Sequence, residues 1–479
     1  MRKKLIYLLF IMILFFPFEA FSLTKYEIID LGGLDPSHVE TYAHAINDSG
    51  HVTGISKKLH DCCGYENHPF IWINGQMQDL YPYETSSYGS NATDINNNDQ
   101  VVGEIPTTNG PIPPGHTYNN HAFIWDEING ITDLGILGGY FSGALGINNS
   151  GQVVGVTNID GGSSRAFIWD ETNEMQDLLG VISRAEAIND LGVVVGQAAD
   201  IPDAAFIWDE ANGVREIVSI GSGNADPFDI NNSGQVVGRY WPDERAFIWD
   251  ETNGMQDIGT LAEGITLARS INDLGRVVGS SRIDNVWHAF LYQNGSMDDL
   301  NDLIPEGSGW VLEHAQDINN NGQIVGIGFF NGNDNHGFLL TPISYELVSI
   351  DVIPKTFPNE YPIKGGGSIE VAILGTVDFD VNDIDIASVR LEGVAPTRSS
   401  LKDKSSPVVP PPTNCECTSE GKDGFLDLCL KFDKKAILSA LGVVNVGDIF
   451  VLTLTGSLND GTPIEGQDCI VMTQKGKKN

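Results

Sequence analysis

Ala144-Leu145-Gly146-Ile147-Asn148-Asn149-Ser150-Gly151-Gln152-Val153-Val154-Gly155, followed twelve residues on by Phe167-Ile168-Trp169-Asp170, is the stretch whose reading decides the fold. The chain writes this unit seven times, with Ile-Asn at Ile46, Ile95, Ile147, Ile188, Ile230, Ile271 and Ile318. Each isoleucine is followed eight residues later by a glycine: Gly54, Gly103, Gly155, Gly196, Gly238, Gly279 and Gly326. The offset never changes, whereas the units are spaced 41 to 52 residues apart, so the core of each unit is fixed and its loops are free. Tandem units of this length build a ring or a solenoid, because one unit cannot bury its apolar face alone.

Four short strands are predicted per unit. They are Ala-x-x-Ile-Asn (Ala185 to Asn189), Val-Val-Gly (Val236 to Gly238), Ala-Phe-Ile-Trp (Ala246 to Trp249) and Met-Gln-Asp-Leu (Met175 to Leu178). Asn, Asp and Gly between the first two tolerate the left-handed backbone of a tight hairpin. The expected fold is all-β, a seven-bladed β-propeller. Tyr26 to Gly33 reads as a strand standing before any repeat, and the seventh unit stops after Gly337-Phe338-Leu339-Leu340 without its last strand. The N-terminal strand is therefore expected to complete the last blade and leave no sheet edge open.

The pattern Ile-Asn-x-x-Gly-x-Val-Val-Gly, with His121-Ala122-Phe123 and His288-Ala289-Phe290, resembles the bacterial extracellular repeat family named HAF for that tripeptide. The likeness covers residues 26 to about 342. It implies an exported repeat protein and no established activity. Arg165-Ala166-Phe167, Ala204-Ala205-Phe206 and Arg245-Ala246-Phe247 depart from the tripeptide, so its histidine does no chemistry that every unit requires.

Residues 1–22 read as a signal peptide, with Arg2, Lys3 and Lys4, then an apolar run from Leu5 to Phe18, then a small-residue site with cleavage near Ser22. That run is too short to span a bilayer, and no later one could. A secreted, periplasmic or cell-surface protein is expected. Lys and Arg number 27 against 64 Asp and Glu, a net charge of −37, which argues against nucleic acid as a partner. Residues 23–343 are assigned to the propeller. Residues 344–479 are read as an Ig-like β-sandwich, resembling small modules that follow repeat regions in secreted bacterial proteins, with a Pro-rich flexible loop at 402–413. Six cysteines in an exported chain are disulfide candidates: Cys62 and Cys63 in one loop, and Cys415, Cys417, Cys429 and Cys469 near the C-terminus.

The connections from second to third strand, and from fourth strand to the next unit, leave a blade on one side. Every sizeable insertion falls there: Lys57 to Asn67, Tyr81 to Asn91, Glu104 to Asn120 and Asn301 to His314. Variation on one face of a regular scaffold is how binding surfaces are built. Aromatic residues assigned to these loops, Tyr81, Tyr83, Tyr88, Tyr118, Trp241, Trp287 and Trp310, suit stacking on sugars or anchoring a protein partner. Tyr140 and Tyr240 belong to the same set. The residue two before each isoleucine, His44, Thr93, Leu145, Glu186, Phe228, Arg269 and Gln316, differs in every unit while its neighbours repeat. These would ring the mouth of a central channel, with His44, Glu186 and Arg269 the polar candidates for ligand contact. No nucleophile elbow, His-Glu-x-x-His or phosphate loop occurs, so no catalytic residue is assigned and no cofactor is required. The expected function is non-catalytic binding of an extracellular polysaccharide or protein. A propeller-type carbohydrate hydrolase or lyase is the alternative. Asp423 and Asp427, in Lys422-Asp423-Gly424-Phe425-Leu426-Asp427, resemble half a calcium loop, which makes Ca2+ the one metal the sequence suggests. The sequence leaves ligand and oligomeric state open.

Overall fold

The computed structural model describes residues 25–59, 65–82, 90–107, 119–201, 204–220, 223–343, 345–354, 359–406 and 421–474. The chain divides at Pro342 into two compact units.

The first unit holds seven four-stranded antiparallel sheets. Their first strands are His38–Ile46, Asn91–Ile95, Ser142–Ile147, Ser183–Ile188, Ala225–Ile230, Thr266–Ile271 and Trp310–Ile318; the sheets are numbered one to seven in that order. The register follows the sequence motif. In sheet three, Val153 faces Trp169 and Gly155 faces Phe167, which in turn faces Asp177 on the fourth strand. Six sheets are continuous in sequence. Sheet seven takes its fourth strand from Tyr26–Asp30, which pairs with Asn333–Pro342 from Tyr26 opposite Pro342 to Asp30 opposite Phe338.

The phenylalanine of the third strand is the packing anchor. Phe70, Phe123, Phe167, Phe206, Phe247, Phe290 and Phe338 are all fully buried, each contributing about 1.5–3 kcal/mol of apolar transfer. First strands touch the first strands of both neighbouring sheets, and this chain of contacts returns from Trp310–Ile318 to His38–Ile46.

A hydrogen-bonded belt runs along the same path. The Nδ2 of Asn47 donates to Asn96 O, and the pattern continues through Asn96, Asn148, Asn189, Asn231 and Asn272 to Asn319, whose Nδ2 donates to Asn47 O, all at 2.9–3.1 Å. Each of these asparagines also accepts two N–H groups of its own turn through Oδ1, as Asn189 does from Leu191 and Val193. Turn asparagine is thus both cap and inter-sheet strut. The result is an all-β, propeller-like unit whose short-turn face encloses a polar cavity of 330 Å³ lined by the Ile-Asn-x residues of all seven sheets.

In six of the seven sheets a histidine or arginine near the start of the third strand has a structural partner. His68, His121 and His288 meet Asp79, Asp133 and Asp299 at 2.7–2.9 Å. Arg165 and Arg245 meet Asp177 and Asp257, and His336 meets Asp30 of the N-terminal strand. A histidine or an arginine serves equally to clamp the fourth strand, which explains the departures at Arg165 and Arg245, whereas Ala204 of sheet four has no such side chain.

The second unit has two sheets. One joins Glu346–Leu347, Pro463–Thr473, Ile449–Leu458 and Ile384–Leu391, with Glu360–Pro362 also on Pro463–Thr473; the other joins Ile350–Val352, Ser368–Ile373, Asp427–Asp433 and Arg398–Lys402. Their shared core includes Val371, Leu430, Phe432, Leu452 and Ile470. The helix Lys434–Ala440, capped by Asp433 through Ala436 N–H, was not legible as a strand-and-turn pattern. The 402–413 segment is not all loop. Lys402 ends a strand, Lys404 pairs with Glu370 at 2.8 Å, and Ser405 is buried with its hydroxyl on Asp351. Its remainder, with residues 1–22, lies outside the described residues.

Candidate functional site

The variable ring has a cause in the backbone. In every sheet the first strand carries a β-bulge, and the residue it ejects from the ladder is His44, Thr93, Leu145, Glu186, Phe228, Arg269 or Gln316. A bulge re-aims one side chain and kinks the strand. The kink drives the carbonyl two residues earlier against the second strand. A Cβ at Gly54, Gly103, Gly155, Gly196, Gly238, Gly279 or Gly326 would fall on the carbonyl oxygen of Tyr42, Asn91, Gly143, Arg184, Asp226, Leu267 or His314. The invariant glycine is therefore the cost of the bulge, and the bulge is what frees one position per sheet to vary.

Sheets four to six concentrate charge and aromatic surface around three of these positions. Glu186 accepts from Arg184 Nε at 2.7 Å. Burial pushes the Glu186 carboxyl up against the opposing pull of Arg184. The Arg269 guanidinium lies 5.0 Å from the centre of the Phe228 ring, and Arg239 lies 6.0 Å from the same ring and 4.8 Å from Trp241. Arg239 is paired, donating from Nε to Asp226 at 2.8 Å. Arg269 is not. Its Nε is buried without a hydrogen-bond partner. Burial, then the charge of Arg239, holds Arg269 below the ordinary arginine range, partly opposed by Glu186. Next to it, His314 takes a 2.8 Å hydrogen bond with Ser280 Oγ and packs 5.6 Å from Trp287, over which Arg282 also lies. A cavity of 300 Å³ adjoins this group, lined by Ile182, Arg184, Gln197, Ala198, Ala199 and Ala204. Glu104 of sheet two faces Arg184 from the other side, its carboxyl pushed up to about 7 by burial.

The structure thus brings Glu186, Arg269, Trp241 and Trp287 into one neighbourhood. It places the other candidates elsewhere. His44 is engaged in the frame, donating from Nδ1 to Ala92 O at 2.7 Å. Tyr81 is pinned, its hydroxyl on Pro106 O at 3.0 Å. Trp287 and Trp310 stand on strands, not loops, and Trp310 is buried, stacked on Phe330 at 4.8 Å. Tyr240 also ends a strand and is buried, whereas Tyr140 is exposed. The insertion at Lys57 to Asn67 is largely an extension of the strands Val52–Leu59 and Tyr65–Ile73. Tyr83, Tyr88, Tyr118, Cys62, Cys63, Cys415 and Cys417 lie outside the described residues.

In the second unit one expectation needs correction, and the two aspartates have structural partners. Asp427 is buried with its oxygens accepting N–H groups of Gly375, Lys404 and Ser405, and exposed Asp423 accepts from Phe425 N–H. Their lone pairs serve the backbone, and among the described residues no cluster of three or more His, Cys, Asp or Glu could hold a metal ion. Cys429 is a buried free thiol, which removes it from the disulfide candidates. Sequence reasoning missed Arg184, Asp226, Arg239, Arg282, His314 and Glu104. The charge reversal at Arg184, Arg239 and Arg269 within so acidic a chain was the available signal.

Residues 22–137 match one protein family, described as "Protein of unknown function (DUF3466)". No curated protein is similar enough in sequence to count as a relative. Among solved structures, virginiamycin B lyase from Staphylococcus aureus is similar at 10% identity and a TM-score of 0.43, covering 66% of this chain and 99% of that one. The β-propeller domain of the Trilobed protease from Pyrococcus furiosus is similar at 12% identity and a TM-score of 0.44, covering 63% and 97%. TolB from Acinetobacter baumannii is similar at 12% identity and a TM-score of 0.32, covering 64% of each chain. Among the described residues no helix is long and apolar enough to cross a membrane.

Proposed function

We propose that the seven sheets are the blades of a closed seven-bladed β-propeller, sealed by the N-terminal strand, in an exported HAF-type repeat protein with a C-terminal β-sandwich module. Its role is non-catalytic binding of an extracellular polysaccharide on the face of the long connections. The observation that carries this reading is the bulge repeated in every sheet. A rigid, hydrogen-bonded frame exempts one residue per sheet from repetition, and in sheets four to six those residues, Glu186, Phe228 and Arg269, assemble with Trp241 and Trp287. Mixed aromatic and charged groups beside a shallow cavity suit sugar rings, whose faces stack on aromatic planes and whose hydroxyls need donors and acceptors. A glycan array with the secreted protein tests the reading. Retention of an intact glycan supports it, and retention of none refutes it. A protein ligand would appear as a partner captured without glycan.

A carbohydrate hydrolase or lyase is the second reading, favoured by one feature. Burial pushes the carboxyls of Glu104 and Glu186 up while Arg184 pulls both down, and a carboxyl held up by burial suits a general acid. Release of reducing ends from the bound glycan, abolished by Glu186→Gln, would establish it in place of simple binding.

A further inference from the structure

Arg269, like its neighbour Arg282, lacks the carboxylate partner that most arginines of this unit have. The chain carries 64 acidic residues, yet among the described residues half-buried Arg269 has no salt bridge and its buried Nε no hydrogen bond, while Arg184, Arg215, Arg239 and Arg245 each have a carboxylate partner. A partly buried charge without a hydrogen-bonded counter-charge is destabilising, and such groups cluster where function requires them. Phe228 holds Arg269 on its face and sets Arg239 on the same ring. The second guanidinium is already satisfied by Asp226, so it orients the first and repels it without competing for an anion. Glu186 acts on Arg269 through its charge but is itself hydrogen-bonded to Arg184, so no carboxylate among the described residues engages the donors of Arg269 directly.

We propose, resting on the polysaccharide-binding reading above, that Arg269 recognises the carboxylate of a uronic-acid unit borne singly on an otherwise neutral glycan. A planar guanidinium fork matches a carboxylate in a two-point contact. The indole of Trp241, under Arg239, and that of Trp287, under Arg282, offer flat faces to the adjoining sugar rings. A densely charged polyanion is disfavoured, because the field of a chain at −37 repels it while an isolated carboxylate meets only the local cation.

The probes are a glucuronoxylan oligosaccharide with one glucuronate branch, the same oligosaccharide after reduction of its carboxylate to the alcohol, polygalacturonate, and a glutamate-containing peptide. Calorimetry on the secreted protein should show binding of the first and at least ten-fold weaker binding of the reduced form and of the other two. Arg269→Gln should lose at least ten-fold for the acidic oligosaccharide and little for the reduced one. Its melting temperature without ligand should match or exceed that of wild type, since a partly buried charge without a hydrogen-bonded counter-charge is removed; a frame residue would show the opposite, and a lower melting temperature overturns the proposal. Should Arg269→Gln not fold, Arg269→Lys keeps the charge and loses the fork, and comparison of glucuronate with glucose as stabilisers of the wild type gives a second readout. Equal binding of native and reduced oligosaccharide overturns the carboxylate assignment and leaves glycan binding standing. Binding of the peptide alone, or of no glycan, overturns both.

Discussion

Replacing Asp94 by Asn should make the protein more stable in mild alkali and less stable in acid. Asp94 belongs to a set of three half-buried carboxyls, with Asp229 and Asp317, each standing immediately before the isoleucine of the repeat. Its two oxygens accept the N–H of Ile95 and of Ile147 in the next sheet, each at 2.8 Å. Burial is the largest influence and pushes its carboxyl up to about 8, with Asp317 adding to the rise and the two N–H groups opposing it. Because the folded group holds its proton more tightly than the unfolded one, the folded state binds more protons between about pH 4 and pH 8, and stability falls as pH rises through that window. A rise of about four units at about 1.36 kcal/mol each amounts to a penalty on the order of 5 kcal/mol by pH 8. Asparagine cannot ionise, so it escapes that penalty, but its Nδ2 faces an N–H and leaves one donor unmet, at about 1–3 kcal/mol. At pH 8 the first effect wins and Asp94→Asn is stabilised by about 2–4 kcal/mol. At pH 4 only the second remains and the variant is weaker by about 1–3 kcal/mol. Urea unfolding of both proteins at pH 4, 6 and 8 reads the difference directly. Curves that keep the same order and spacing at all three values would refute the assignment of a protonated carboxyl here.

Other expected outcomes follow from the frame. Asn189→Ala removes the 3.0 Å strut to Asn231 O and two accepted turn bonds, which at about 1 kcal/mol each costs roughly 3 kcal/mol in urea unfolding. Tyr26 is fully buried against Trp310, Phe338 and Leu340, with its hydroxyl unpartnered. Tyr26→Ala should then cost about 3–5 kcal/mol and Tyr26→Phe nothing or less, as thermal melts would show. Mapping of alkylated peptides without reductant should find Cys429 labelled only after unfolding, and Cys469 joined to Cys415 or Cys417.

How far the sequence reached depended on whether a residue's role was repeated. The strand periodicity, the hairpin turns and the borrowed strand Tyr26–Asp30 were legible because seven copies show the same pattern and one copy lacks its end. The glycine eight residues past each isoleucine was visible as a signature, yet its reason was hidden. It answers to a carbonyl on the neighbouring strand, such as Arg184 O against Gly196, and a partner across a ladder leaves no local trace. The site was half legible. Glu186 and Arg269 stood out because they vary where neighbours do not. Arg239 and His314 sit at ordinary strand positions and acquire a role only when sheets five, six and seven come together. Trp310 misled because an aromatic residue in a long connection looks like a contact, whereas the strand begins there and buries the ring.

The placement of carboxylates around the unit follows a rule that links both sets of observations. The position before each isoleucine is aspartate in sheets two, five and seven, as Asp94, Asp229 and Asp317; the position after each Ile-Asn is aspartate in sheets one, four and six, as Asp48, Asp190 and Asp273. No sheet carries both, and within either set no two neighbouring sheets carry one. At the second position the backbone N–H of each residue donates to the Oδ1 of the next, from Asp48 through Asn97, Asn149, Asp190, Asn232 and Asp273 to Asn320 and back to Asp48, at 2.8–2.9 Å. Three is the largest number of aspartates seven places can hold without two adjacent, and the amides between them donate to both sides, as Asn232 does to Asp190 and Asp273. At the first position the half-buried carboxyls reach the next sheet's isoleucine N–H, with Ser270 Oγ 2.6 Å from Asp317 and 2.9 Å from Asp229. Burial pushes both carboxyls up, Asp229 to about 6, and the charge of Asp317 adds to the rise at Asp229. Interleaving the two sets lets an acidic chain fasten every sheet to the next with carboxylates without placing two of one set on neighbouring sheets, and it leaves the cationic site on sheets four to six as the exception that the frame was not built to neutralise.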